Sequence, residues 1–441
     1  MTQPSPRKVS LAWVSVALLV LGFLEFVFVY ILNDKEALTS SIYTYYQSDF
    51  YSHLSSGQLP WIHFRFEYPP LAAYVLLFPA FFAGLSVLWV TILRAVSCLG
   101  VTVLTIKALN RCERIPENIR GLASLTVGIM SCVVPGFYFG LFDWTLVVVN
   151  ILMVIVLFGV ADQGSGVRKF WPLVFFGAAI KLMPLMAAPF LLQVKQLREK
   201  SNFLASLGVT ALVHVPFVLF GFHNFRVFVA YHRARSIDCF SSYACLLNAL
   251  QQVGKVTIVR KWNYGALEVE GSLSALFAKA SLPLFALVLL GLFFVTRSLI
   301  QKGHGMKTAF GMYLVAFLAY PAISKVSQNN YCVWTVTCLL CLWLIGYQRP
   351  KFVQTTFVAA MIMLVIGWVQ DRHFVDFTLP LVPWYMIVMS AARQIMTLWL
   401  AVICYKEIVR SKIDAQQYVP GVSFEPATLP KDLLRPEHFR N

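Results

Sequence analysis

Charge is scarce in this chain. Asp, Glu, Lys and Arg make up 13% of its 441 residues, against about 25% in a soluble globular domain, so there is too little of it to clothe a water-exposed surface. No Asp-x-Asp, no His-x-x-x-His and no Cys/His cluster at ligand spacing occurs, so no metal site is expected. No Walker loop and no Gly-x-Gly-x-x-Gly occurs either, which argues against an ATP-driven pump. Cys-x-x-Cys spacing appears once, at Cys338-Leu339-Leu340-Cys341, without a second pair. That pair, like Cys98 and Cys332, lies in an apolar run and reads as small packing residues; a redox or metal role is the weaker reading. There is no repeat of fixed period and no low-complexity tract.

Apolar residues fill the space that charge leaves: they are 59% of the chain. Crossing a bilayer as a helix takes about 20 mostly apolar residues. Leu11–Leu32 is such a run, broken only by Glu25. Leu273–Thr296, Phe352–Val369 and Trp384–Tyr405 repeat the pattern, with Lys279 and Arg393 as their only charges. Such segments must be helical, because lipid cannot satisfy the peptide groups of an open strand. The first run is too long for a cleavable signal and lacks a small-residue cleavage site. The expected fold is therefore all-α and polytopic, with about eleven to thirteen membrane segments.

The net charge of +16 does not point to nucleic acid. The basic residues gather in short clusters between apolar runs, as the positive-inside rule expects. Arg7 and Lys8 put the N-terminus in the cytoplasm. The clusters at Arg111/Arg114/Arg120, Arg168/Lys169, Lys195/Arg198/Lys200, Arg297/Lys302/Lys307, Arg349/Lys351 and Lys406/Arg410/Lys412 should join it. That parity makes Tyr68–Gly84 an interfacial or re-entrant helix and Leu85–Leu109 the second span. It also makes Phe170–Leu192 a pair of half-helices meeting near Lys181 and Pro184. Two long loops, Asn33–Gly84 and Phe222–Gly271, fall on the non-cytoplasmic side. Residues 1–412 form the membrane domain, and 413–441 form a polar cytoplasmic tail, loosely ordered by composition.

The outer loops hold the residues that could carry chemistry. Asp49 and Glu67 are carboxylates in the first loop. Moving a sugar onto a hydroxyl needs a base for the hydroxyl proton, and one carboxylate suffices when the leaving group is a phosphate. Asp49 could equally cap a helix starting at Phe50, and Glu67 could be a solvated residue. The second loop opens with Tyr231-His232-Arg233-Ala234-Arg235, followed by Asp238 and Ser241. A basic cluster outside breaks the positive-inside trend. A lipid-linked phosphate would explain it, since Arg forks onto phosphate oxygens; so would Arg side chains snorkelling to headgroups. Lys181 lies in an apolar stretch, where an ionisable residue is a functional candidate or snorkels from near the interface. Lys325, followed by Ser327-Gln328-Asn329-Asn330-Tyr331, forms a polar belt that lines a sugar pocket or ends a helix.

Taken together, these blocks resemble a known pattern. Ser48-Asp49-Phe50 with Glu67-Tyr68-Pro69-Pro70, Lys181-Leu182-Met183-Pro184, Tyr231-His232-x-x-Arg235 with Ser241, and Lys325-Val326 through Tyr331-x-Val333-Trp334 are similar in order and placement to the GT-C superfamily of membrane glycosyltransferases. The closest likeness is to family 87, the polyprenyl-phosphate-mannose-dependent mannosyltransferases; a more distant one is to the first mannosyltransferase of GPI-anchor assembly. The resemblance implies inverting transfer of a hexose, mannose above all, from a polyprenyl-phosphate donor to a lipid or glycan acceptor, with no cofactor and no obligatory metal. It puts Asp49 in the position of the catalytic acidic residue and Glu67, Tyr68, Lys181, His232, Arg235, Lys325 and Asn330 around the substrate. Two departures leave sugar identity and phosphate handling open. Asn330-Tyr331 stand where the family often has a His pair, and Asp238-Cys239-Phe240-Ser241 stand for Gln-x-Glu-Ser.

Two other classes compete. A transporter or flippase for a lipid-linked or polar solute would also carry charge at membrane depth, although no inverted repeat of hydropathy is visible. A non-catalytic membrane subunit would stabilise a partner enzyme. Convergence of Asp49, Arg235 and Lys181 on one outward-facing cavity would favour the enzyme; scattered positions would favour either rival.

Overall fold

The computed structural model describes residues 11–28, 53–54, 56–66, 68–72, 87–112, 115–133, 141–159, 163–198, 200–263, 266–328, 330–373, 376 and 378–411. Asp49, Glu67, most of the first long loop and the tail at 413–441 lie outside the described residues. In chain order the helices are α1 (Leu11–Phe26), α2 (Val87–Asn110), α3 (Glu117–Val133), α4 (Leu141–Val154), α5 (Gln163–Ile180), α6 (Lys200–Phe220), α7 (Phe222–Ala234), α8 (Ser242–Gln252), α9 (Ser272–Gln301), α10 (Met306–Ile323), α11 (Tyr331–Leu344), α12 (Pro350–Arg372) and α13 (Trp384–Arg410). Within α6, α9, α10, α12 and α13, the stretches Asn202–Phe220, Ser272–Gln301, Met306–Ile323, Pro350–Gln370 and Trp384–Arg410 are each long and apolar enough to cross a membrane. Shorter apolar helices accompany them.

Burial sorts these helices into layers. Every residue of α11 is buried, and so is nearly all of α10. Around them α6 and α9 turn large apolar side chains outward: Leu212 is 74% exposed, Phe220 77% and Leu282 73%. Apolar exposure on that scale is stable against lipid and costly against water. Two pairs of polar groups inside the bundle bridge helices. The Tyr313 hydroxyl donates to Asn150 Oδ1 at 2.8 Å, and Trp343 Nε1 donates to Thr356 Oγ1 at 2.9 Å. Lipid tails give helices no hydrophobic reason to associate, so close backbone approach carries the packing. Gly22 on α1 supplies it: a Cβ there would lie 2.6 Å from the Ser131 carbonyl oxygen of α3.

Ion pairs tie helix ends together. Glu25, the one charge in the first apolar run, meets Arg372 at the end of α12 at 3.5 Å. At the opposite end of α12, Arg349 pairs with Glu407 of α13. The C-terminal ends of α1 and α12 therefore share one end of the bundle.

A small sheet sits at that same end and was not announced by the sequence. β1 (Ile237–Asp238), β2 (Val259–Asn263) and β3 (Ala266–Glu270) form an antiparallel sheet in the order β1-β3-β2. α8 packs beside it, capped by Ser241, whose Oγ accepts from the Ala244 N–H at 3.1 Å. Ile237, Phe240, Leu247, Leu267 and Val269 share a second, smaller core with Val382, Met386 and Ile387. Among the described residues the fold is thus mostly helical, with a three-stranded sheet in the second long loop.

Candidate functional site: a cation layer over an aromatic shelf

α7 ends at Ala234, and Arg235 leaves it with φ −54° and ψ 130°, which starts the chain toward β1. In the sheet register Asp238 lies directly opposite Glu268. Like charges at such a position repel, and both side chains are buried, at 2% and 0% exposure. Arg235 resolves the conflict. Its Nε donates to Glu268 Oε1 at 3.2 Å and its Nη2 lies 3.6 Å from Asp238 Oδ2. Glu268 also accepts from the Ser236 N–H at 3.1 Å and from Asn263 Nδ2 at 3.3 Å. Asp238 accepts from the Phe240 N–H at 3.0 Å.

These neighbours set the charges. Burial opposes the Arg235 charge, but the Tyr231 phenol, the Asp238 carboxylate, Tyr331 and Tyr68 outweigh it and hold the guanidinium above its ordinary pKa. Burial pushes the Asp238 carboxyl up, against the pull of Arg235 and the Phe240 N–H. Lys325 donates its Nζ protons to the carbonyls of Arg233, at 3.2 Å, and Arg235. Its own carbonyl accepts from the Asp238 N–H at 2.9 Å. Half-burial lowers the Lys325 pKa, with Glu268 raising it and Arg235 lowering it further.

Lys181 stands where α5 breaks. The chain runs on as a 3-10 turn, Met183–Ala187, and a single α turn, Ala188–Leu191, so the expected break falls at this residue. Lys181 Nζ lies 4.4 Å from the Trp334 ring centre and 5.5 Å from that of Tyr331. Tyr331 and Trp334 stack at 3.7 Å, making an aromatic shelf on the first turn of α11. Such rings hold a cation by about 0.5–2 kcal/mol.

Tyr331 is where the separate blocks meet. Lys181 overlies it, and it and Tyr68 of the first loop stand within electrostatic reach of the Arg235 guanidinium. Asn330 stands at the N-cap position of the helix that carries it, without a side-chain capping bond. His232 is brought elsewhere: it is exposed and sets its ring edge-on against Phe228 and Tyr231. Asp49 and Glu67 lie outside the described residues.

Three further residues take part that sequence reading did not place in the site. Glu268 completes the Arg235 cluster; its only signal was the alternation Ala266-Leu267-Glu268-Val269-Glu270. Trp61 docks the first long loop on the second. Its carbonyl accepts from Asn224 Nδ2 at 2.7 Å, and its ring packs on Phe225 and Phe228. Gly221 is required beneath it, because a Cβ there would collide with the Trp61 carbonyl. Arg393 of α13, read from the sequence as a stray charge in a span, reaches the same layer from below. Among the described residues no group of His, Cys, Asp and Glu could hold a metal ion. No protein-family model and no curated protein matches the chain.

Proposed function

We propose that the chain is a polytopic membrane glycosyltransferase of GT-C type, moving a hexose, mannose first among candidates, from a polyprenyl-phosphate carrier to a lipid or glycan acceptor at the non-cytoplasmic face. One observation carries the proposal. Residues from four separate blocks of the chain, Tyr68, Lys181, Arg235 with Lys325, and Tyr331, gather at one end of an apolar helix bundle. That is the arrangement an anionic lipid-linked donor requires: cations for its phosphate, and a bundle wall for its isoprenoid.

The chemistry is a single displacement. The acceptor hydroxyl oxygen attacks the anomeric carbon, the bond from that carbon to the phosphate oxygen breaks, and the electron pair leaves with the phosphate. Asp49 takes the hydroxyl proton. Lys181 and Lys325 stabilise the charge that develops on the phosphate, as preorganised cations do in a dry site. Arg235, already shared between Asp238 and Glu268, orders the loop that presents them. Glu67 and Asn330 shape the sugar and acceptor side. The membrane orientation belongs to the same proposal, with the termini in the cytoplasm and both long loops outside. The contacts of Trp61 with α7 and of Glu25 with Arg372 support it, because they put both loops at one end.

The test is incubation of the purified protein with radiolabelled polyprenyl-phosphate sugars and a membrane lipid extract, followed by product analysis. Label moving from carrier to a new lipid or glycan is expected. Movement of an intact solute across proteoliposomes, with no label transferred, would replace the proposal with the transporter.

A further inference from the structure

Arg393 lies ten residues into α13 and is 2% exposed. An ionisable side chain inside an apolar helix needs partners, and here they come from two loops far apart in the chain. Nη1 donates to the Gln328 carbonyl at 3.1 Å. Nη2 donates to the Phe240 carbonyl at 2.8 Å and to the Ser327 carbonyl at 3.4 Å. The neighbouring Gln394 repeats the pattern: Nε2 donates to the Phe240 carbonyl at 2.8 Å and to Ser327 Oγ at 3.0 Å. Arg393 also overlies the Phe240 ring, 5.7 Å from its centre.

We propose that Arg393, assisted by Gln394, is a positioning residue that fastens two substrate-facing loops to α13 and so sets where Lys325, Arg235 and Asn330 stand. Phe240 closes the turn between β1 and α8, a few residues after Arg235. Ser327 and Gln328 lie between Lys325 and Asn330. The two loops are already joined to each other, through the Asp238 N–H on the Lys325 carbonyl and the Lys325 ammonium on the Arg235 carbonyl. They form one unit, and the fork of Arg393 fixes that unit to a membrane helix. Buried carbonyls left without a donor are costly, so the three accepting carbonyls hold the unit at a defined height. A guanidinium can do this because its planar array of donors reaches two backbones at once; an ammonium cannot reproduce it. The sheet strands β2 and β3 pair with each other and need no such anchor.

This inference rests on the proposed function for its consequence in catalysis, but not for the contact itself, so the experiment has two arms. Wild type, Arg393→Lys and Arg393→Gln are purified in detergent. Hydrogen–deuterium exchange reads the anchor directly. In both variants, residues 238–242 and 324–331 should exchange about tenfold faster or more, while 259–263 should be unchanged, because local opening is released only where the anchor acts. Steady-state transfer from a polyprenyl-phosphate hexose reads the consequence. Arg393→Lys should raise donor KM about tenfold with kcat within about twofold, as for lost ground-state and transition-state binding alike, and Arg393→Gln should move further the same way. Unchanged exchange in both loops, or exchange raised evenly across the chain, would overturn the proposal. So would an unaltered donor KM in a wild type that turns over. If wild type transfers no sugar from any donor, the glycosyltransferase proposal fails and the exchange arm alone decides this one. If Arg393→Gln does not fold, Arg393→Lys carries both arms.

Discussion

Lys181 overlies Tyr331 and Arg235 stands within electrostatic reach of it, and the two cations are held by opposite means. Arg235 sits between two buried carboxylates in strict cross-strand register. Lys181 rides over the faces of Trp334 and Tyr331 at a break in α5. An arginine that neutralises two carboxylates has its charge spent on the fold. Lys181 is instead held over the faces of two rings. The sequence treated the two as equivalent phosphate contacts; the geometry sets Arg235 on carboxylates and Lys181 on rings, and the proposed function uses the first for order and the second for chemistry. Lys325 falls between them, tied to backbone carbonyls by its own ammonium protons.

Removing Arg235 should have the largest effect. Arg235→Ala leaves Asp238 and Glu268 buried, adjacent and uncompensated, which typically costs about 3–5 kcal/mol. Thermal unfolding in detergent should show a fall of that order, and transfer should drop roughly a hundredfold or more with it. A variant that keeps wild-type stability would erase the contrast with Lys181. Replacing Lys181 should separate the two properties. Its side chain is half-buried at the end of a helix, so Lys181→Ala should lose about 1 kcal/mol of stability while transfer falls roughly a hundredfold. Equal losses of stability in both variants would show that Lys181 is another structural cation.

The pH dependence sharpens the case of Lys325. Its pKa is lowered in the folded protein by burial, so the ammonium is lost at a lower pH than that of an ordinary lysine. Donor affinity should fall as pH rises through that lowered value, and Lys325→Arg should move the alkaline limb of the profile upward. The linked stability runs the other way. The folded state holds this proton less tightly than the unfolded chain does, so the group's contribution weakens as pH falls toward the folded pKa. His232 should matter least. It is exposed on α7, and surface changes usually stay within about 0.5 kcal/mol, so His232→Gln should alter transfer by less than about threefold. A larger loss would return it to the substrate side of the site.

The membrane helices were legible in the sequence because bilayer thickness dictates run length. Trp384–Tyr405 lies within α13, and Leu273–Thr296 lies within α9. The break at Lys181 was legible too, because a charge and a proline interrupt an apolar stretch bounded by basic flanks. The sheet was not: β1 has two residues, and Asp238 and Glu268, far apart in the chain, become neighbours only through strand pairing. Arg393 was visible only as a charge in a span. Its partners are backbone carbonyls, which carry no side-chain signature, 65 and 153 positions away. Sequence patterns report what a residue is; the role of a cation here depends on what tertiary structure sets against it.

Asp49 tests the central claim most directly. Asp49→Asn keeps size and hydrogen bonding but cannot accept a proton, so it should abolish sugar transfer from a labelled polyprenyl-phosphate donor while expression and donor binding persist. Glu67→Gln, measured beside it, should reduce transfer less. Normal transfer by Asp49→Asn with none by Glu67→Gln would exchange the two roles. Normal transfer by both would contradict the account of this protein as a glycosyltransferase with its base in the first outer loop.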